Sequence, residues 1–307
     1  MLLMNRSKMF FVLNDREWFA HMRWSRNVSP MHVINTRFLN GEISVRFPGD
    51  VANKDIILLK RFSSNLHEDI FELLQCVDTL RRMGAQTITL LLPYYPYARQ
   101  DHGACCESQG GLLFAKLFAN IGVKKIITID MHAPEQLRDF PLKVVNLTTE
   151  RFWEKYLKSL DLNNNEIQIV AADKSATTRA QQIASVLDCS WGYANKQREA
   201  NGEVQITEVV GFCPEKRTFL VDDLIDTGRT MVATTQALRT LSAQPIVACA
   251  THCHLSEALF NNLISIGISQ LITTDTIKRG VSAQVSEGNL TVLDISSMLF
   301  ENDVFAL

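Results

Sequence analysis

Two adjacent carboxylates, Asp222 and Asp223, are the residues of this sequence best placed to do chemistry. They follow a short apolar run that is typical of a buried strand. Carboxylates accept hydrogen bonds from sugar hydroxyls but repel a phosphate, which carries charge of the same sign. Because ligands bind at the carboxyl ends of strands in open α/β sheets, this pair predicts a site for a ligand that bears hydroxyls.

The residues that follow the acidic pair are suited to a phosphate. They are Asp226, Thr227, Gly228, Arg229 and Thr230, and they lead into a helix-like segment. A helix N-terminus offers free N–H groups and the positive end of the helix dipole to an anion. Gly228 allows close backbone approach, and Thr227 and Thr230 add hydroxyl donors. The stretch therefore predicts a pocket for a sugar phosphate. Taken alone, it also fits an Asp-rich surface turn that caps a helix.

A second group of candidates follows a predicted strand in the first half of the chain. Arg99, Gln100 and Asp101 come after a turn rich in tyrosine and proline, and an arginine there can clamp a phosphate through two N–H groups. His132 follows the next predicted strand, where an imidazole can ligate a divalent metal or bind a phosphate. The alternatives are a surface loop with packed tyrosines and a structural histidine.

The second half of the chain adds a carboxylate and two cations. Asp173 follows a third predicted strand, and its carboxylate is suited to Mg²⁺. Lys174 could instead be its ion partner. Lys196 and Arg198 lie two residues apart in a charged segment, 195–199, which we expect to be a loop. Two cations on a mobile loop could close over developing negative charge, although a charge run also fits a solvated surface.

The elements that must position these residues alternate between strands and helices, which predicts parallel sheets with right-handed crossovers. Strands are predicted at 9–13, 32–34, 43–47, 55–59, 87–92, 125–129, 166–171, 219–221, 246–251, 270–274 and 290–293. Helices are predicted from a cap at Ser64 or Asn65 to Gly84, at 112–121, at 176–187, from Met231 and at 256–266.

The pattern restarts near residue 150, which indicates two α/β domains, each a mainly parallel sheet flanked by helices. We expect them to span 1–148 and 149–307, with the last residues free to pack back on the first domain. The halves resemble loose copies of one another, in which strand 87–92 matches 167–171 and strand 125–129 matches 219–221.

Composition excludes several classes of protein. The chain has 307 residues, of which 46% are hydrophobic and 21% charged, as is typical of a globular protein with a sizeable core. A formal net charge of -2 gives no support to nucleic-acid binding. No apolar run approaches the ~20 residues of a membrane span, and seven scattered cysteines favour reduced thiols. We therefore expect a cytoplasmic protein that binds neither nucleic acid nor a membrane.

Several motifs together resemble the ribose-phosphate diphosphokinase (PRPP synthetase) family. They are the turn at 38–42 and the segments 93–101, 129–134, 196–198 and 222–230, in that order along the chain. Single-domain phosphoribosyltransferases share only the last of them. The resemblance implies a phosphoribosyltransferase-like fold in both domains. It also implies transfer of the diphosphoryl group of MgATP to the anomeric hydroxyl of ribose 5-phosphate, which gives PRPP and AMP.

The same resemblance implies a role for each candidate residue. Seven residues would bind ATP: Phe38, Asn40, Glu42, Arg99, Gln100, Asp101 and His132. Seven would bind ribose 5-phosphate: Asp222, Asp223, Asp226, Thr227, Gly228, Arg229 and Thr230. Mg²⁺ would be held by His132 and Asp173. The catalytic residues would be Lys196 and Arg198, which stabilise the group in transfer. A homo-oligomer, either a dimer or a dimer-based hexamer, is implied as well.

The sequence departs from the family's pattern at four places, one of which is the segment from Arg279 onward. Residues 102–109 contain no Lys or Arg, where the family carries several; Asn40 stands where the family usually has Asp; and residues 174–176 replace His-Gly-Gly after Asp173. Two other functions therefore stay open. One is a non-catalytic homologue that keeps the sugar-phosphate pocket, and the other is a phosphoribosyltransferase, which would not depend on ATP.

Overall fold

The computed structural model describes residues 8–12, 15, 18, 30–100, 106–198, 204–242, 244–278 and 288–301. The predicted site residue Asp101 lies outside the described residues, and the side chain of Arg198 is not described. The chain divides into two units. Unit 1 comprises Met1–Leu147 with Ile295–Leu307, and unit 2 comprises Thr148–Asp294.

Unit 1 is built on a parallel sheet. Its strands are β1 (Lys8–Val12), β2 (Pro30–His32), β3 (Ile34–Arg37), β4 (Ile43–Arg46), β5 (Asp55–Leu59), β6 (Thr87–Leu92), β7 (Lys125–Ile129) and β8 (Lys143–Leu147). Six of them form the sheet in the order β2-β1-β5-β6-β7-β8, and all neighbours are parallel. Strands β3 and β4 form a separate antiparallel hairpin. Helix α1 (Leu66–Arg82) connects β5 to β6, and α2 (Gly110–Asn120) connects β6 to β7.

Unit 2 contains a seven-stranded sheet. Its strands are β9 (Ile167–Ala171), β10 (Ser190–Arg198), β11 (Val204–Val210), β12 (Arg217–Ile225), β13 (Ile246–Cys253), β14 (Ile268–Thr274) and β15 (Leu290–Leu293). Their order is β11-β10-β9-β12-β13-β14-β15, and only β11 is antiparallel to its neighbour. The helices are α3 (Glu150–Lys158), α4 (Thr177–Leu187), α5 (Arg229–Leu241) and α6 (Glu257–Ser265). The last helix of the chain, α7 (Ser296–Glu301), belongs to unit 1.

Helices cover both faces of the unit 2 sheet because side chains alternate along its strands. Phe219 and Val221 point to one face, where they pack with Trp153 of α3 and residues of α4. Leu220 points to the other face and packs with Met231 of α5 and with α6. The predicted fold class, two α/β domains with mainly parallel sheets flanked by helices, is confirmed.

Three local predictions were wrong. Residues 195–198 are not a loop but part of β10, because β11 pairs with them and satisfies their backbone groups. Strand β12 does not end at Val221 but continues to Ile225, because β13 keeps pairing with it. The strand predicted at 32–34 is broken at Val33, where β2 ends and the hairpin begins. Strands β8 and β11 and helix α3 were not predicted at all.

The two sheets share one strand order, and this corrects the predicted internal match. The order β2-β1-β5-β6-β7-β8 corresponds, position by position, to β10-β9-β12-β13-β14-β15. Strand β12 therefore corresponds to β5, and α5 corresponds to α1. The predicted correspondence between the two halves is therefore wrong, both for 87–92 with 167–171 and for 125–129 with 219–221. Local sequence pattern contains no information about which strands are neighbours in a sheet.

Candidate functional site

The acidic pair lies where β12 extends past its neighbour β9. Pairing between the two strands ends at Val221 and Ala171, and a last bond runs from the N–H of Ala172 to the carbonyl of Val221 at 3.0 Å. Pairing with β13 continues through Asp222 to Ile225. Strand β9 does not pair with β12 beyond Val221, and the chain that leaves β9 places Asp173 near Asp222.

Burial and mutual repulsion dominate the electrostatics of the acidic pair. Asp222 is 8% exposed, and the N–H of Asp223 donates to its Oδ1 at 2.9 Å. Burial raises the pKa of Asp222 well above its ordinary value, and the charges of Asp223 and Asp173 raise it further. Three carboxylates therefore crowd one end of the sheet. A ligand that brings hydroxyl donors or positive charge would relieve their repulsion.

Asp173 is held ionised by a lysine from β10. Lys196 Nζ donates to Asp173 Oδ2, and the backbone N–H of Ser175 donates to Oδ1 at 2.8 Å. Burial alone would raise the pKa of Asp173, but the hydrogen bonds from Lys196 and Ser175, together with the lysine charge, lower it overall. The ion partner is Lys196 and not the neighbouring Lys174, whose side chain is exposed.

A shift in strand register accompanies this ion pair. The pairing between β10 and β11 is irregular between Asn195 and Lys196, which indicates a β-bulge. Bulges often occur beside active sites, where they change the direction of a side chain. The bulge lies at the residue whose ammonium meets Asp173.

The turn between β12 and α5 leaves a helix N-terminus open. Gly228 has a φ of 73° and precedes the first residue of α5, so no side chain caps the helix. No acidic residue stands in the first turn of α5. The hydroxyl of Thr234 donates to the carbonyl of Ala172 at 3.1 Å, which ties this helix to the end of β9. The uncapped N–H groups suit an anion.

The side chains around this turn are arranged for access. Asp226, Thr227 and Arg229 are exposed, and Thr230 is half-buried. Gly228 has a φ of 73°, which favours glycine, and a Cβ atom added there would push against the end of the Leu259 side chain. Backbone N–H groups here can be approached closely by a ligand.

In unit 1, the predicted ATP residues of the first motif lie on the hairpin turn. The N–H of Phe38 donates to the carbonyl of Glu42 at 2.8 Å, and the N–H of Glu42 donates to Asn40 Oδ1 at 3.1 Å. Phe38 is 52% exposed. A cavity of about 580 Å³ is lined by this turn and by Glu68, Phe71 and Gln75 of α1 and Ile43 of β4. The three predicted residues are thus brought together beside a space large enough for a small ligand.

The second motif of unit 1, residues 93–101, ends in a loop that hydrogen-bonds to the start of α2. Gln100 Oε1 accepts from the N–H of Gly110 and from the hydroxyl of Ser108, both at 3.1 Å. The N–H of Gln100 donates to the carbonyl of Tyr97, which has a φ of 59°. Gln100 therefore acts in this structure as a cap for α2, while the neighbouring Arg99 is exposed. The loop geometry leaves the guanidinium accessible.

His132 lies in a strained backbone segment after β7. Asp130 has a φ of 41° and Ala133 a φ of 49°, both in the left-handed region that residues other than glycine rarely adopt. The N–H of Met131 donates to Asn146 Oδ1 at 2.8 Å, and the N–H of Asp130 donates to the carbonyl of Leu147 at 2.8 Å. Strain of this kind clusters at ligand-binding segments.

The donor chemistry of unit 2 suits Mg²⁺. Among the described residues, no group of three or more His, Cys, Asp or Glu side chains could hold a metal ion. Mg²⁺ commonly binds through one or two carboxylates and the phosphates of its substrate, and keeps several waters. Asp173, an ionised carboxylate at a strand end, provides such a donor.

Two buried cations of unit 1 were missed by the sequence analysis. Lys60 is 2% exposed and donates to Asp69 at 2.6 Å and to Glu72 at 2.9 Å. Arg61 donates through two nitrogens to Asp15, at 2.5 and 2.7 Å. A signal was present, because Asp69, Glu72 and the buried Cys76 recur at helical spacing on one face of α1.

The two units match two known protein families. Residues 9–122 match the N-terminal domain of ribose phosphate pyrophosphokinase, and residues 145–277 match the phosphoribosyl transferase domain. None of the described helices is long and apolar enough to cross a membrane.

Curated relatives and a solved structure agree with these matches. The chain is 34% identical to the ribose-phosphate pyrophosphokinase of Campylobacter jejuni, over 78% of each chain. It is 32% identical to that of Bacillus subtilis, over 79% of this chain and 76% of the relative. It also superposes on the crystal structure of phosphoribosylpyrophosphate synthetase from Mycobacterium smegmatis with a TM-score of 0.84 and 27% identity, over 98% of this chain and 99% of that one. The family predicted from the motifs is confirmed: the chain belongs to the ribose-phosphate pyrophosphokinase family.

Proposed function

We propose that this protein is an active ribose-phosphate pyrophosphokinase, which transfers the diphosphoryl group of MgATP to ribose 5-phosphate and releases PRPP and AMP. The observation that carries the proposal is the end of the unit 2 sheet, where the buried Asp222 with its neighbour Asp223, a lysine and an uncapped helix N-terminus meet. The match of both halves of the chain to the two domains of this family supports it.

Ribose 5-phosphate is held by the loop after β12 in this proposal. Asp222 and Asp223 accept hydrogen bonds from the ribose hydroxyls. These hydrogen bonds offset the repulsion between the two carboxylates. The N–H groups after Gly228 bind the 5-phosphate together with the hydroxyls of Thr227 and Thr230. Asp226 orders the turn, and Arg229 adds positive charge at the exposed side.

The reaction is a displacement at phosphorus. The anomeric oxygen forms a bond to the β-phosphorus of ATP, the bond from that phosphorus to the oxygen bridging to the α-phosphorus breaks, and AMP leaves. The hydroxyl proton goes to solvent. Such transfers depend on positioning and on neutralising charge more than on a covalent nucleophile. Lys196 and Arg198 on β10 are the cations assigned to that charge.

Asp173 and His132 are the residues assigned to Mg²⁺. When bound, the ion neutralises the phosphate oxygens and orients them for attack. A carboxylate that is already ionised accepts a cation without first losing a proton, and Asp173 meets that requirement. Lys196, which pairs with Asp173 in this structure, is one of the cations assigned to the group in transfer.

The nucleotide is assigned to the first domain, residues 1–148, and the ribose phosphate to the second, 149–307. Phe38, Asn40 and Glu42 beside the hairpin cavity hold the base. Arg99, Gln100 and Asp101 are the residues assigned to the rest of the nucleotide, and Gln100 also caps α2.

We also propose that the protein works as a homo-oligomer in the cytoplasm, a dimer or a dimer-based hexamer. Phe38 and Leu39 at the hairpin turn are both exposed, which suits contact with a second copy. The six cysteines in the described part of the chain form no disulfide, as expected in a reducing compartment. Sedimentation velocity would test the assembly.

A product assay tests the proposed activity. Purified protein is mixed with Mg²⁺, ATP and ribose 5-phosphate, and AMP and PRPP are followed by phosphorus NMR. We expect both products in equal amounts and neither when ribose 5-phosphate is left out. Turnover that needs PRPP and a free base but no ATP would indicate a phosphoribosyltransferase. Binding of ribose 5-phosphate without turnover would indicate a non-catalytic homologue.

A further inference from the structure

The hairpin of β3 and β4 is not part of the main sheet and lies instead against α1, with the alternate side chains of β4 half-buried. It stands apart from the six-stranded sheet, and all four residues of β3 are exposed. A two-stranded hairpin by itself is marginally stable in water. Its turn nevertheless lines the cavity of unit 1, so some contact must fix the position of that turn.

A hydrogen bond from Asn35 to α1 adds a directional contact to the packing of β4 on that helix. Asn35 Nδ2 donates to Glu72 Oε1 at 2.6 Å, and Glu72 is 2% exposed. A hydrogen bond to a buried carboxylate is stronger and more directional than one between neutral groups. The hairpin also carries the ion pair of Arg37 with Glu68, but the arginine of that pair is 58% exposed. Exposed pairs contribute little.

Glu72 is itself held by a buried lysine. Lys60, which directly follows β5, donates to Glu72 at 2.9 Å and to Asp69 at 2.6 Å. Asp69 also accepts from the N–H and hydroxyl of Ser63, at 2.6 and 2.8 Å. A continuous set of hydrogen bonds therefore runs from the end of β5, through two carboxylates of α1, to the side chain of Asn35 on the hairpin.

We infer that Lys60 and Glu72 are positioning residues, which act through Asn35 to hold the 38–42 turn in the geometry that binds the nucleotide. This inference rests on the proposed function, because it takes the turn as part of the ATP site. Lys60 and Glu72 are buried and do not line the cavity themselves. Their effect on the nucleotide passes through the orientation of the hairpin.

Exchanging the donor and the acceptor of the hydrogen bond between Asn35 and Glu72 tests the inference. Asn35→Asp places a carboxylate against Glu72, which should loosen the hairpin and raise the KM for ATP about tenfold, while the KM for ribose 5-phosphate stays unchanged. Glu72→Gln in the same chain provides an amide that donates to Asp at position 35, so it should restore the KM. Asp78→Asn is the matched control, because it removes a carboxylate from the exposed side of α1, where Asp78 pairs only with Arg82 among the described contacts.

Hydrogen exchange of residues 34–46 provides a second measurement that does not need turnover. We expect faster exchange in Asn35→Asp, a return to the original rate in the double variant, and no change in Asp78→Asn. Three results would overturn the inference: unchanged exchange in Asn35→Asp, an equal rise in its KM for ATP and for ribose 5-phosphate, or a double variant whose KM for ATP stays raised. If the unaltered chain made no PRPP, the proposed function would fail. Exchange and calorimetric ATP binding of the same variants would then still decide whether the anchor positions the turn.

Discussion

The ends of β5 and β12 occupy the same position in two sheets of the same strand order, yet they carry opposite charges. Strand β12 contains Asp222 and Asp223 near its end, and α5 after it begins with no acidic residue and no side-chain cap. Strand β5 is followed by Lys60 and Arg61, and α1 after it carries acidic residues in its first turn. One end is open to an anion and to hydroxyls, while the other is neutralised by its own chain.

The two strand ends differ in how far their charges are buried and paired within the protein. In unit 1, Asp69 and Glu72 take the place beside the strand end and bond to a lysine that is 2% exposed. In unit 2, Lys196 is 24% exposed and, among the described residues, pairs with the carboxylate of Asp173. Both ends are lysine–carboxylate sites, and the lysine of the second is the more exposed of the two.

The largest expected effect is on stability, at Lys60. Lys60→Met leaves Asp69 and Glu72 buried without their cation, and breaking a buried pair in this way costs about 3–5 kcal/mol. Urea denaturation should show a large drop in midpoint. Arg82→Met is the control: Arg82 is exposed on α1, the helix that carries Asp69 and Glu72, and its loss should leave the urea midpoint almost unchanged. A small drop in the urea midpoint of Lys60→Met would mean that the charges of Lys60, Asp69 and Glu72 are already solvated.

The next effect is on turnover, at Lys196. Lys196→Ala should lower kcat about 10²-fold, because a cation that stabilises developing charge is lost. Arg198→Ala should do the same. We expect less loss of stability than at Lys60, because Ser175 still donates to Asp173. Turnover near that of the unaltered protein in both variants would contradict the assignment of β10 to catalysis.

A smaller effect is expected at the turn before α5. Gly228→Ala adds a Cβ that meets Leu259 at a φ of 73°, so the turn should shift and the KM for ribose 5-phosphate should rise about tenfold. Gly49→Ala is the matched control in unit 1, since it has a φ of 86° and open space around it. An equal KM for ribose 5-phosphate in the two variants would show that the turn is not part of the phosphate site.

The smallest effect is a gain in stability at Asp222. The folded state raises the pKa of this carboxyl, so the unfolded chain loses the proton first as the pH rises, and folding is penalised above the unfolded pKa. Asp222→Asn removes that penalty and should raise the Tm at pH 7.5 by roughly 2–4 °C. The gain should vanish near pH 3, where the carboxyl is protonated in both states. Binding of ribose 5-phosphate should weaken. A Tm gain that does not depend on pH would contradict this origin.

Sequence alone predicted those features that follow from local pattern. The hairpin around Gly41 and the helix from Asn65 follow from turn chemistry and from apolar periodicity, and both are present. The continuation of β12 through Asp222 and Asp223 was not predicted, because adjacent acidic residues are unfavourable in strands. Pairing with β13 overrides that preference, and such pairing is a long-range property that local pattern does not contain.

The candidate site was predicted by residue type but not by partner. The motif identified Asp173 and Lys196 separately, whereas their ion pair depends on β10 lying beside β9. Glu72 was overlooked because a charged residue on a helix face is usually solvated, and Lys60, which directly follows β5, belongs to none of the motifs. Their burial becomes evident only when each is placed against the other.

A crystal structure with ribose 5-phosphate would test the central claim most directly, because it decides which of the two equivalent strand ends is the ligand site. We expect the 5-phosphate against the N–H groups that follow Gly228, and the ribose hydroxyls against Asp222 and Asp223. The end of β5 should be empty of ligand, with Lys60 still bonded to Asp69 and Glu72. Ribose 5-phosphate bound at Lys60 and Arg61, or turned so that its phosphate meets the acidic pair, would contradict the account.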